Sequence, residues 1–222
     1  MRNRDRVGLN FAPLLLRLML GLIFLQSGLG KLIATMPVGP ADEPILRAMG
    51  ASLIVPAPAA AAHGNPTPEA QPRVRKLYGV SLRVYRSAYP DPLEGGGKVR
   101  ATWPPDLATG GWPRYLGWAS ALVEALGGFC LLIGLATRLW AIGLAFVMIG
   151  AMWLSQLGPA VQSGETVLGI IPAYTLSEPA EWRILWLQFA LLMSSASLLF
   201  LGPGRLSLDA LLLGHGGDDE DE

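Results

Sequence analysis

Charge is scarce in this 222-residue chain: Asp, Glu, Lys and Arg make up 15% of it, while 51% is apolar. A soluble domain carries about a quarter charged residues, so the polar surface here is too small to coat a globule in water. The charges cancel, 17 basic against 17 acidic. A phosphate-binding surface needs a positive excess, which excludes nucleic acid as an expected partner. One cysteine, Cys130, allows neither an internal disulfide nor a CxxC redox pair; inside an apolar run it reads as a small buried residue. The two histidines, His63 and His215, sit in Gly/Ala-rich or Gly-rich polar stretches, so no metal site is expected. No haem, flavin or iron–sulfur ligand pattern is present, and no covalently carried cofactor is expected.

What the chain has instead is four long apolar runs. A helix needs about 20 mostly apolar residues to cross about 30 Å of hydrocarbon. The runs lie at about residues 11–33, 113–135, 139–157 and 182–201. Pro113 suits a first helical turn, where no N–H is needed. Only Ala136-Thr137-Arg138 separates the second run from the third, which makes those two an antiparallel hairpin. The first run has a basic start, but it is longer than a signal-peptide core and no A-x-A site follows, so it is read as a retained span. The expected fold class is all-α, a transmembrane four-helix bundle with a long irregular extracytoplasmic loop, residues 34–112, between the first two helices.

Arg2, Arg4 and Arg6 before the first span, Arg138 in the short turn and Arg205 after the fourth fall on one side of a four-span topology. By the positive-inside rule that side is cytoplasmic, with both termini on it. Trp103, Trp112, Tyr115, Trp118, Trp153, Tyr174, Trp182 and Trp186 then gather toward the opposite face as an aromatic belt, and Trp140 marks the inner face. Within the 34–112 loop, Asp42 can cap a short helix over 42–55, residues 56–72 read as a Pro/Ala-rich spacer, and Val74 to Tyr89 carries one apolar helical face. That helix can rest on the outer leaflet or pack over the bundle mouth; the alternation from Val80 to Val84 also allows a β-hairpin. Residues 214–222 form an acidic, self-repelling tail expected to be disordered.

Charges inside spans are costly and are treated as candidate functional residues. In the first span Arg17, Gly21, Phe24, Gly28 and Lys31 follow one another at steps of four, three, four and three, one stripe of a helix. Gly21 and Gly28 on that stripe permit close helix approach. In the second span Glu124, Gly127, Gly128, Leu131 and, beyond it, Arg138 form a matching stripe. Glu124 lies near the midplane and is expected to pair with Arg17 or Lys31, because a buried pair lowers the cost of each charge. A pair of this kind either fixes helix register or serves a ligand or proton; the residues leave both open. Gln26, Ser27, Gln156 and Gln188 add polar groups that suit a cavity or interhelical hydrogen bonds.

Three blocks carry a resemblance. The first span reads RLMLGLIFLQSGLGKL, the second span and its turn VEALGGFCLLIGLATRLWA, and the end of the fourth FLGPGRLSLDALL. In this order they resemble the motifs of the DoxX family of small bacterial membrane proteins. The long 34–112 loop departs from the compact family pattern. The resemblance implies a four-helix bundle in the cytoplasmic (inner) membrane and marks Arg17, Gly21, Gly28, Lys31, Glu124, Gly127, Gly128, Gly134, Arg138, Gly204, Arg205, Ser207 and Asp209. Within the closing block, Arg205 and Asp209 are four apart and can pair on a short interfacial helix whose Leu206, Leu208, Leu211 and Leu212 face lipid. The family takes its name from a subunit of a thiosulfate:quinone oxidoreductase, and some members are associated with membrane redox complexes.

Three functions follow as expectations. The first is a non-catalytic or accessory subunit of a membrane-associated complex, whose outer loop recruits an extracytoplasmic partner. The second is an oxidoreductase subunit holding a quinone or a sulfur compound near Arg17, Lys31 and Glu124, with electrons from a membrane redox partner. The third is a small-solute transporter, against which stand the few spans and the lack of an inverted repeat.

Overall fold

The computed structural model describes residues 3–55, 71–92 and 99–213, with side chains from residue 11 to 212 within those stretches. The fold is mostly helical, at 67%. Among the described residues, four helices are long and apolar enough to cross a membrane: Phe11–Ile33, Trp112–Ile133, Thr137–Ser163 and Pro179–Leu201. The chain divides into two compact units, Met1–Gly28 with Leu122–Met152 and Thr175–Glu222, and Leu29–Ala121 with Trp153–Tyr174.

The first unit is a helical bundle. It holds most of α1 (Asn3–Ile33), the second half of α4 (Trp112–Ile133), α5 (Thr137–Met152), α7 (Pro179–Leu201) and the short α8 (Leu208–Leu213). Leu20, Phe24, Leu131, Leu144 and Leu198 are almost fully buried at its centre. Phe129, Phe146, Ile149, Trp186 and Leu187 are exposed in the chain alone, the outward apolar surface that a bilayer solvates. Small residues set the helix spacing. A Cβ on Gly128 would land on the backbone of Leu25 and Gly21, so α1 and α4 touch main chain to main chain. On its other side, Gly127 faces the Trp140 ring and Leu144 of α5. α4 and α5 are joined by a tight turn in which Gly134 and Ala136 both have positive φ, 72° and 48°. α7 stops at Gly202, φ 78°, whose N–H returns to the Leu198 carbonyl at 2.9 Å.

The second unit gives the 34–112 segment more structure than its composition suggests. β1 (Thr35–Pro37) pairs antiparallel with β2 (Arg73–Arg75). α2 (Glu43–Ala48), α3 (Tyr78–Ala88) and a 3₁₀ turn (Pro105–Ala108) follow in chain order around them. Val38, Leu46, Val74, Leu77, Leu82 and Ala121 form a buried core, so the segment packs on the first half of α4. A Cβ on Gly117 would meet the Leu77 carbonyl and Ser81 Oγ at 2.8 Å, and Ser81 donates to the Pro113 carbonyl at 2.8 Å. The apolar face expected over residues 74–89 is buried in this core, against Ala121 of α4. Val74 belongs to β2 rather than to the helix. Asp42 precedes α2 as expected but makes no capping bond; its carboxylate accepts from Arg86 at 2.7 Å.

The third membrane-length helix also runs further than its hydropathy implied, to Ser163 rather than 157. After α5 one wide turn, Trp153–Leu157, has π geometry, and α6 (Gly158–Ser163) continues from it. Pro159 does not end the helix, because it falls in the first turn of α6, where no N–H bond is lost. A two-residue hairpin, β3 (Thr166–Val167) with β4 (Ile171–Pro172), follows. Residues 56–70 of the spacer, with His63, and the acidic tail from 214, with His215, lie outside the described residues, as do the side chains of Arg4 and Arg6 and the whole of Arg2.

Candidate functional site: where the motif residues meet

The closing block folds back onto the α4–α5 turn, and it does so through the motif residues. Asp209, in the first turn of α8, accepts the N–H groups of Ala136 at 2.6 Å and Thr137 at 2.8 Å. These are orphan donors at the start of α5, so a carboxylate from far along the chain acts as that helix's cap and meets the positive end of its dipole. The Asp209 N–H in turn donates to the Gly134 carbonyl at 2.9 Å. Ser207 holds the block's own turn: its hydroxyl donates to the Gly204 carbonyl at 2.7 Å and accepts the Ala210 N–H at 3.0 Å.

Arg17 completes the arrangement from α1. It is 1% exposed, and its Nη2 donates to the Leu206 carbonyl. A Cβ on Gly134 would collide with Arg17 Nη1 and sit 2.6 Å from Ser207 Cβ. Glycine is therefore required there twice over, for the positive φ and for the space the guanidinium fills. Arg138 is exposed, and its guanidinium lies over Gly202, 3.2 Å from where a Cβ would stand. The three sequence blocks thus converge: Arg17 from the first, Gly134 and Arg138 from the second, and Ser207 and Asp209 from the third. The expected Arg205–Asp209 pair does not form. Helix α8 begins only at Leu208, so residues 205 and 209 do not share a helical face, and Asp209 is spent on the α5 amides.

Glu124 belongs to a different level of the bundle. It is 1% exposed, and the Ser27 hydroxyl donates to its Oε2 at 2.8 Å. Ser27 is ten residues beyond Arg17 on α1, about 15 Å along a straight helix. Arg17 and Glu124 therefore serve separate sets of contacts. Lys31 Nζ lies 3.4 Å from the Ser120 hydroxyl, a long hydrogen bond. Gly28 is buried, as its place on the stripe with Gly21 suggests. In the second unit, Gln156 within the π turn is 8% exposed and accepts from the Tyr174 hydroxyl at 2.7 Å. Trp153 in the same turn donates its indole N–H to the Thr102 carbonyl at 2.9 Å. The sequence marks Gln156 as a polar group inside an apolar run, but it carries no signal for the π turn that buries it.

Comparison with known families adds one finding. Residues 98–157 match the DoxX family model. The matched segment spans the 3₁₀ turn, α4, α5 and the π turn, and so includes Glu124, Gly127, Gly128, Gly134 and Arg138. With four membrane-length apolar helices it is consistent with a DoxX family membrane protein, and the chain is an integral, multi-pass membrane protein. Arg17, Arg205, Ser207 and Asp209 lie outside the matched segment, and Arg17, Ser207 and Asp209 join its Gly134–Arg138 turn in the structure. Neither the curated proteins nor the solved structures give a match.

Proposed function

We propose that this chain is a DoxX-type accessory subunit of a membrane-associated complex, without a reaction of its own. The observation that carries this reading is the use made of the motif charges. Asp209 caps α5, Arg17 holds the Leu206 carbonyl, and Gly134 is shaped around the Arg17 guanidinium. These contacts tie the chain's first helix and last block to its central hairpin. The 34–112 segment shares a buried core with α4 and supplies a folded surface for a protein partner. With the basic flanks inside, that segment faces the extracytoplasmic side and the membrane is the inner one.

A second reading has one specific observation behind it. Glu124 is a buried carboxylate in an apolar bundle that accepts a hydroxyl from Ser27, and such an acceptor suits the hydroxyl of a quinol in a quinone- or sulfur-compound-linked oxidoreductase subunit. Lipid and quinone analysis of the full chain, purified in mild detergent as wild type and as Glu124→Gln, separates the two. The accessory reading expects no bound quinone in either sample. Quinone present in the wild type and lost in Glu124→Gln replaces it with the redox reading.

A further inference from the structure

A cleft of about 520 Å³ opens beside the joined motifs, lined by Thr137, Arg138 and Leu139 at the start of α5 and by Pro203, Asp209 and Ala210 of the closing block. Its wall is mainly apolar. It lies where α4 ends at Ile133, α5 begins at Thr137 and α7 ends at Leu201, which is the level at which apolar spans give way to polar headgroups. Leu139 on its wall and Leu206, Leu211 and Leu212 of the closing block are 59–66% exposed, apolar surface at home against lipid.

The charges at the cleft are unequal. The Asp209 carboxylate is taken up by the Ala136 and Thr137 amides. Arg138 makes no hydrogen bond or ion pair among the described residues and is exposed, as is Arg205 of the closing block. An unmatched guanidinium beside an apolar trough at the membrane boundary asks for one kind of occupant, an amphiphile with an anionic head and a hydrocarbon tail. We propose that this cleft holds an anionic phospholipid, with its phosphate on Arg138 and the start of its acyl chain along Leu139 and Ala210. The planar guanidinium suits a phosphate by paired N–H bonds, and the lipid then covers the apolar groove that the closing block leaves open.

The test is native mass spectrometry of the full chain released from nanodiscs of equal phosphatidylglycerol and phosphatidylcholine. Wild type is expected to keep phosphatidylglycerol in preference to phosphatidylcholine. Arg138→Gln is expected to lower that retention about ten-fold, the factor that one charge-assisted hydrogen bond is worth, and Arg138→Lys, which keeps the charge but not the paired N–H geometry, to restore only part of it. Ala210→Phe, which fills the trough and leaves every charge in place, is expected to lower retention as well, and it decides the matter if Arg138→Gln does not fold. Equal retention of the two lipids by wild type overturns the proposal. Phosphatidylglycerol retention that Ala210→Phe leaves unchanged overturns it too, as a headgroup held by surface charge outside the cleft. Displacement of the lipid by millimolar inorganic phosphate, with the phosphate retained in its place, also overturns it, since the site then reads the anion alone.

Discussion

At the scale of single residues, the glycines separate most clearly by what surrounds them. Gly128 has backbone where a Cβ would go, and backbone cannot give way as a side chain can. Gly30, in the same kind of helix, has nothing within 4 Å. Gly128→Ala is therefore expected to lower the thermal stability of the detergent-solubilised protein by several degrees, while Gly30→Ala leaves it unchanged or raises it slightly through helix propensity. Equal effects at both positions would show that α1 and α4 are not in main-chain contact. Asp209 makes the second residue-level prediction. Replacing it with Ala removes both bonds to the start of α5, a cap loss of about 1–2 kcal/mol. Asp209→Asn should cost less, because one acceptor oxygen remains while the charge on the helix dipole is lost. The measurement is the thermal midpoint of both variants; a midpoint for Asp209→Ala within error of wild type contradicts the capping role.

At the scale of elements, the packing of α3 on α4 rests on Gly117, where the α3 start approaches so closely that a side chain has no room. Gly117→Val is expected to loosen the 71–112 segment from α4, read as faster proteolytic cleavage within that segment while the four apolar helices remain helical. An unchanged cleavage pattern would mean that the contact is not needed. The four spans were legible in the sequence because hydropathy is a local property, summed over one stretch of chain at a time. The apolar face on residues 74–89 was legible for the same reason. What covers it was not, since Ala121 and Val38 reach it only through the fold. Arg205 and Asp209 show the same limit from the other side. Their spacing of four is a pairing signal only inside one helix, and α8 starts too late for that. The π turn at 153–157 left no trace in composition, because a wide turn changes the bonding of the backbone and not the polarity of its residues.

At the scale of the whole molecule, scarcity of charge is the fact from which most of the account follows. A chain with so few charged residues can place them in an apolar bundle only where each has a specific use. Two of the motif charges are spent at one end of the first unit, where residue 17 meets residue 206 and residue 209 meets residues 136 and 137. The remaining buried one, Glu124, is held near Ser27. Contacts that join positions almost two hundred residues apart cannot be inferred from spacing, although the motifs that make them stand out in the sequence. The family match over residues 98–157 fits this division, covering the central hairpin to which the outlying blocks attach.

The most direct test of that account is hydrogen–deuterium exchange of the full chain in nanodiscs, comparing wild type with Arg17→Gln. In wild type the Asp209 amide, bonded to the Gly134 carbonyl at 2.9 Å, should be protected along with its neighbours in 204–213. Arg17→Gln removes the charged clasp on Leu206, and exchange across 204–213 should accelerate while the interior amides of α5 and α7 stay protected. Equal exchange of 204–213 in the two proteins would contradict the account, because the closing block would then be held without the first helix.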